Sequence, residues 1–347
     1  MAKYVVKRIA YMLVVLMILS VIMYLIYSLV PSNRAYTDAT NEVKALKNVL
    51  PKDKIDEKFD ELYLMYQRRY GTDTDNKLVR YARWLGICPL YDGSFNGLLQ
   101  GNFGYSYEYQ KPVLEVIKNP MINTIKINIW ATILGLGITI PLGIVCAVKR
   151  GGKLDQSMQV VTILGYSLPT FVISILFIWL FSSKLGWFPP SGMKTPGSSF
   201  TGMKQFLDEL YYMALPLIVM TFSSLGGMTR YVRASMVDAL SMDCIRTARA
   251  KGLREKTVIY SHAFRNALIP IVSLVVGWFL GIFGGSLVVE SMFAINGMGK
   301  LMIESLRTAD YDVVLLMQMF YVAMSLVGNL VIDIVYGLVD PRVRVNN

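Results

Sequence analysis

The residues best placed to do work in this chain lie between 229 and 268. There Arg230, Arg233, Arg246, Arg249, Lys251, Arg254, Lys256 and Arg265 face only Asp238, Asp243 and Glu255. That excess of cations is of the kind that resists translocation and keeps a segment in the cytosol. The single histidine, His262, has no cysteine or carboxylate at ligand spacing and reads as an ordinary interfacial residue. No Gly-x-x-x-x-Gly-Lys-Ser/Thr loop is present, so the chain is not expected to hold ATP itself. No serine, cysteine or metal-type constellation points to hydrolysis either, and the expectation is a non-catalytic chain with no catalytic residue, no metal and no cofactor of its own.

The elements that must position these residues are helices. Ser235 to Ala250 mixes alanine, apolar and charged residues without proline, and Gly252 follows where a left-handed cap can end a helix. A second helical stretch, Arg254 to Leu268, leads to Pro270, which a first turn tolerates. Two helices joined at a glycine make a docking knob.

That knob belongs to a membrane protein. Of 347 residues, 54% are hydrophobic and 17% charged, too apolar for an ordinary water-exposed surface. Six runs are long enough as helices to cross a bilayer: Ile9 to Val30, Ile122 to Val148, Val160 to Phe181, Leu210 to Leu225, Ile269 to Val289 and Val313 to Leu338. The first follows Lys3, Lys7 and Arg8 and could be taken for a cleavable signal. Its length, and Pro31 just after the possible cut, favour an uncleaved anchor.

Charge sets the orientation. Lys149-Arg150-Gly151-Gly152-Lys153 between spans 2 and 3, and the basic 229–268 segment between spans 4 and 5, belong in the cytosol. Both termini then lie there as well, and residues 31–121 lie outside. This outer segment holds 13 basic and 12 acidic residues, a mixed surface rather than a nucleic-acid face, so the net charge of +11 is mostly topogenic. Cys88 falls outside, Cys146 in a membrane helix and Cys244 in the cytosol, so no pair can meet and no disulfide or metal framework is implied. Helical spacing over Asp56 to Tyr66, a stop and fresh cap at Gly71-Thr72-Asp73, and Gly93, Gly97, Gly101 and Gly104 predict a small helical module with a loop-rich return. The organisation expected is a stub and first span over 1–30, an outer module over 31–121, and a core over 122–347.

Few charges lie in the spans. Lys126, Glu290 and Asp333 sit near span ends, with Asp333 expected near Arg342 at the cytosolic surface, whereas an ion-coupled carrier usually needs ionisable groups inside. Gly277, Gly281 and Gly285, with Gly284 adjacent, are expected to give span 5 a bare helix face, either a sliding surface at a subunit interface or path, or static packing. Pro141, Pro169 and Pro216 permit kinks that suit a pathway or a static bundle equally.

The string Thr247 to Leu253 with His262 to Pro270 resembles the cytoplasmic signature of ABC importer permeases, in the form of the oligopeptide/dipeptide (peptide/nickel) family. Arg246-Thr247-Ala248 stands where the general signature has Glu-Ala-Ala, as is usual in the peptide branch. Also similar to the family are Arg83-Trp84-Leu85, Gly101 to Ser106, Pro112-Val113, Leu185 to Gly192, Glu290, Phe293, Gly297-Met298-Gly299 and the ending Asp340 to Arg344, in the family's order and on the expected sides. The resemblance covers about 1–30 and 68–347. Two stretches, about 36–60 and 87–97, look like insertions that either touch a binding protein or fill space.

The resemblance implies the first-permease (B-type) subunit, an all-α polytopic protein with six transmembrane helices in the type I importer permease fold, in a bacterial cytoplasmic membrane. It implies a second homologous permease, two cytosolic ATPases holding ATP and Mg, an extracytoplasmic solute-binding protein and a peptide cargo. Arg246, Thr247, Ala248, Arg249, Ala250, Lys251, Gly252 and Leu253 would couple to an ATPase, with Arg246, Arg249, Lys251 and Arg254 facing its acidic groups or the lipid surface, or serving topogenesis alone. The same architecture importing nickel chelates, glutathione or sugars is the first alternative. A stand-alone ion-coupled carrier or channel is the second.

Overall fold

The computed structural model describes residues 2–29, 34–46, 51 and 54–339. They form two compact units, Met1–Ile117 with Glu304–Val322, and Lys118–Ile303 with Ala323–Asn347. This departs from the expected division, in which 304–322 belonged to the core.

In the first unit α1 (Ala2–Leu29) is an apolar helix. Helices α2 (Arg34–Leu46) and α3 (Ile55–Arg69) bury Ala39, Val43 and Leu62 between them. They run antiparallel: Tyr66 donates to Glu42 at 2.6 Å, and Tyr70 donates to Asp38. The cap expected at Asp73 is elsewhere. Asn76 accepts from the Leu78 and Val79 amides to start α4 (Lys77–Leu85), while Asp73 pairs with Arg83 at 2.8 Å. Tyr81 of α4 shares a hydrogen bond of 2.7 Å with Ser20 of α1. A two-residue antiparallel ladder, β1 (Tyr105–Ser106) with β2 (Lys111–Pro112), follows the glycine-rich loop. The 304–322 segment joins this unit because the Ser106 hydroxyl binds the Asp310 carboxylate and the Tyr105 amide donates to Asp312 at 3.2 Å.

The second unit is a helical bundle. Helix α5 (Val113–Val148) starts nine residues before its expected span, and α8 (Gly202–Leu240) extends beyond its expected span at both ends. The third span is not one rod. Helix α6 (Lys153–Ser167) stops at an extended Leu168, the conformation a following proline favours, and α7 (Thr170–Phe177) with a π-helical stretch Ile178–Lys184 leaves at 106°. After α9 (Asp243–Ala250) and the short α10 (Glu255–Thr257), α11 (Phe264–Gly281) ends eight residues before the expected limit at Val289. Helices α12 (Leu287–Met292) and α13 (Met298–Arg307) precede α14 (Tyr311–Val339), close to the expected last span. Among the described residues four helices, α1, α5, α8 and α14, are long and apolar enough to cross a membrane alone. Counting each of two bent pairs, broken near Pro169 and Pro270, as one span gives six.

Gly226, Gly165 and Gly143, none of them among the glycines expected, make tight helix contacts. A Cβ at Gly226 would lie 2.4 Å from the Thr162 carbonyl oxygen, and one at Gly165 would lie 2.9 Å from that of Phe222, so α6 and α8 touch backbone to backbone. At Gly143 a Cβ would meet Val232, bringing α5 against α8. Gly277 and Gly281 have open space instead.

Candidate functional site

The knob is built differently from expectation in one respect. The helix predicted over Ser235 to Ala250 is broken at Ser241-Met242. The Ser241 amide and hydroxyl both return to the Asp238 carbonyl, at 3.1 and 2.7 Å, Met242 is extended, and Asp243 opens α9 where a carboxylate suits the positive end of a helix. The first half of the predicted helix is thus the end of α8.

Helix α9 has two faces. Ile245 and Ala248, one turn apart, are buried with Met236 and Ala239 of α8, with Val258 and Ala263 of the π-helical stretch Val258–Ala263, and with Ala267 of α11. Of the coupling residues named from sequence, Ala248 is therefore inside, and Arg246, Thr247, Arg249, Ala250, Lys251, Gly252 and Leu253 are exposed. Gly252 is left-handed at φ +74°, as expected. Its amide donates to Arg249 and the Leu253 amide donates to Ala248, the paired bonds of a Schellman cap. Leu253 is left on the surface at the tip.

Arg249 does not reach outward with the other cations. It holds Glu255 through Nη2 at 2.6 Å and Nε at 3.2 Å, across the turn at Gly252, while staying on the surface. Lys251 and Arg254 remain exposed. Arg246 lies 3.5 Å from Asp243. His262 is exposed in the π-helical stretch, Cys244 is exposed on α9, and Cys146 is buried in α5.

Behind the knob stands a pair that sequence reasoning missed. Asp155, in the first turn of α6, is fully buried. It accepts from Arg233 of α8 at 2.6 and 2.7 Å and from the Gly151 amide at 2.9 Å. The only local sign was an aspartate in the first turn after Gly151-Gly152. Arg233 had been counted as topogenic.

The glycine-rich region after span 5 is also redefined. Asn128, buried in α5, donates to the carbonyls of Gly281, Ile282 and Gly284 at 3.3, 3.0 and 2.8 Å. The helix ends there because those carbonyls turn to the amide, so Gly284 and Gly285 do not continue a bare face with Gly277 and Gly281. Gly285 instead permits backbone contact with Gly299, whose amide a Cβ would meet at 2.1 Å.

Beyond this turn Glu290 is buried, accepting from the Thr124 hydroxyl at 2.8 Å and from the Lys300 amide at 3.0 Å at the start of α13. Burial pushes its carboxyl above the usual range against these bonds. Lys126 pairs with Glu209 at 2.9 Å, and Asp333 is half-buried in α14. Arg342 and the ending Asp340 to Arg344 lie outside the described residues. Two segments that carried the resemblance meet: the Gly192 amide donates to the Phe293 carbonyl at 2.8 Å.

A helical bundle with an exposed knob between two of its membrane-length helices is the architecture of a membrane transport component. Residues 139–345 match the family model described as binding-protein-dependent transport system inner membrane component, and the chain belongs to that family. It is 36% identical over 277 residues to the oligopeptide transport system permease protein AppB of Bacillus subtilis (strain 168), covering 80% of this chain and 83% of the relative. It is 32% identical over 283 residues to the glutathione transport system permease protein GsiC of Escherichia coli (strain K12), covering 79% and 87%. In fold it is similar to a chain of the MetNI methionine ABC transporter in inward-facing conformations, with a TM-score of 0.51 at 15% identity, over 66% of this chain and 98% of that one.

Proposed function

We propose that this chain is one of two homologous permease subunits of an ABC importer for peptides, and that α9 with its Gly252 turn is where ATPase subunits push. The cargo reading is supported by the similarity to the oligopeptide permease AppB, which extends over 80% of the chain. The coupling reading rests on one observation: the inner face of α9 is packed on both the end of α8 and the approach to α11, while its outer face is open. A force on Arg246, Thr247, Ala250, Lys251 or Leu253 would pass through Ile245 and Ala248 into both neighbours at once, because close-packed interiors transmit displacement.

ATP and Mg would be held by the partners, and a solute-binding protein would deliver cargo to the outer side. Both termini would lie in the cytosol, with the chain itself non-catalytic. Gly277 and Gly281, open on this chain, would face the second permease or the path.

Proteoliposomes containing the full assembly test this. ATP-dependent uptake of a labelled tripeptide is expected, with no uptake when the ATPases are left out. Uptake of glutathione in preference to peptides would support the alternative suggested by the similarity to GsiC. Uptake by the chain alone would establish an ion-coupled carrier and overturn both.

A further inference from the structure

The antiparallel pairing of α6 and α8 leaves a groove that neither helix fills. Its register is marked by Asp155 against Arg233, Thr162 against Gly226 and Gly165 against Phe222. The groove has a volume of about 690 Å³, and its polarity changes along its length. At the end near Asp155 lie Gln159 and Arg230, and further along lie Ile163, Tyr166 and Gly227. Arg233 is neutralised by Asp155, whereas Arg230 is exposed. The polar end is also the basic end, since Lys149, Arg150 and Lys153 are exposed in the loop whose Gly151 amide binds Asp155.

The other end is apolar and open. Ile163 is 53% and Tyr166 71% exposed, and Val160 and Leu164 beside them are exposed too. Gly227 supplies the room: a Cβ there would meet nothing within 4 Å.

A guanidinium at one end of a channel and exposed apolar side chains one to two turns further along match a molecule with an anionic head and a hydrocarbon tail. We propose that this groove binds an anionic phospholipid, its phosphate on Arg230 and one acyl chain along Ile163 and Tyr166 over Gly227. Basic pockets between membrane helices take such headgroups through the same charge complementarity. Placing the lipid in the cytosolic leaflet rests on the proposed orientation; the binding itself does not.

The test is lipid retention by the full chain in detergent, read by native mass spectrometry with phosphatidylglycerol or phosphatidylcholine added. Wild type is expected to retain phosphatidylglycerol selectively. Arg230→Gln should weaken that retention about fivefold, and Gly227→Leu, whose Cβ would meet nothing within 4 Å, should abolish it with helical content unchanged. Equal retention of both lipids by wild type, or the same selectivity in both variants, would overturn the site. So would crosslinks from Ile163→Cys to the second permease or to cargo in the intact assembly. Tripeptide uptake measured alongside separates the claims: uptake without selective retention removes the lipid site alone. Labelling Lys153→Cys from the outer side would remove only the leaflet assignment.

Discussion

Arg233 grips both carboxylate oxygens of the fully buried Asp155, with Nε at 2.6 Å and Nη2 at 2.7 Å. The pair joins the start of α6 to α8 within a turn of Met236, which packs with the inner face of α9. Asp155→Ala would strand a largely enclosed guanidinium, and breaking such a pair costs about 3–5 kcal/mol. Thermal unfolding in detergent should register that loss. The double replacement Asp155→Leu with Arg233→Met should recover much of it, because two apolar groups leave no uncompensated charge.

Asn128 sets the end of α11. Asn128→Leu removes three hydrogen bonds to carbonyls and should cost about 1–3 kcal/mol. Asn128→Asp should cost more, since a carboxylate would point acceptors at acceptors. Hydrogen exchange over 281–285 is expected to rise in both variants, and equal stability of the two would contradict the donor role.

Gly297 lies against the Glu290 carboxyl, where a Cβ would come within 2.4 Å of the carboxyl carbon. Gly297→Ala and Glu290→Ala should therefore be non-additive. Alone, the first displaces the carboxylate from the Lys300 amide. With Glu290 already truncated, it should add little further destabilisation in the same unfolding assay.

Tyr66 donates to Glu42 at 2.6 Å, and this bond pushes its phenol up to about 12. A raised phenol favours the folded state below the ordinary tyrosine value of about 10. That contribution is lost as pH climbs from there through about 12. In the difference ultraviolet titration of wild type against Tyr66→Phe, the missing tyrosine should be one that ionises late. A difference transition near pH 10 would contradict the bond.

Much of this architecture was legible in local patterns. The left-handed cap at Gly252 and the exposed run from Arg249 to Leu253 follow from a glycine closing an amphipathic helix, and α1 and α14 follow from uninterrupted apolar runs. What escaped was non-local. Asp155 and Arg233 are 78 residues apart, and Asn128 sits inside an apolar run with its three carbonyls about 153 to 156 residues away, so no spacing rule points to either. The sharp break at Pro169 was underestimated because a missing donor marks where a helix can bend, not by how much. The charge of Arg249 is readable, whereas its closure onto Glu255 requires the turn between them to be built first.

The central claim is that α9 receives force from an ATPase, and stimulated ATP hydrolysis by the assembled transporter measures it most directly. Gly252→Pro cannot adopt φ +74°, and Arg249→Glu sets like charge against Glu255. In both variants, inserted normally in the membrane, cargo-stimulated hydrolysis is expected to fall to the basal rate or the ATPases to dissociate. Full stimulation in both, with the ATPases still bound, would contradict the account.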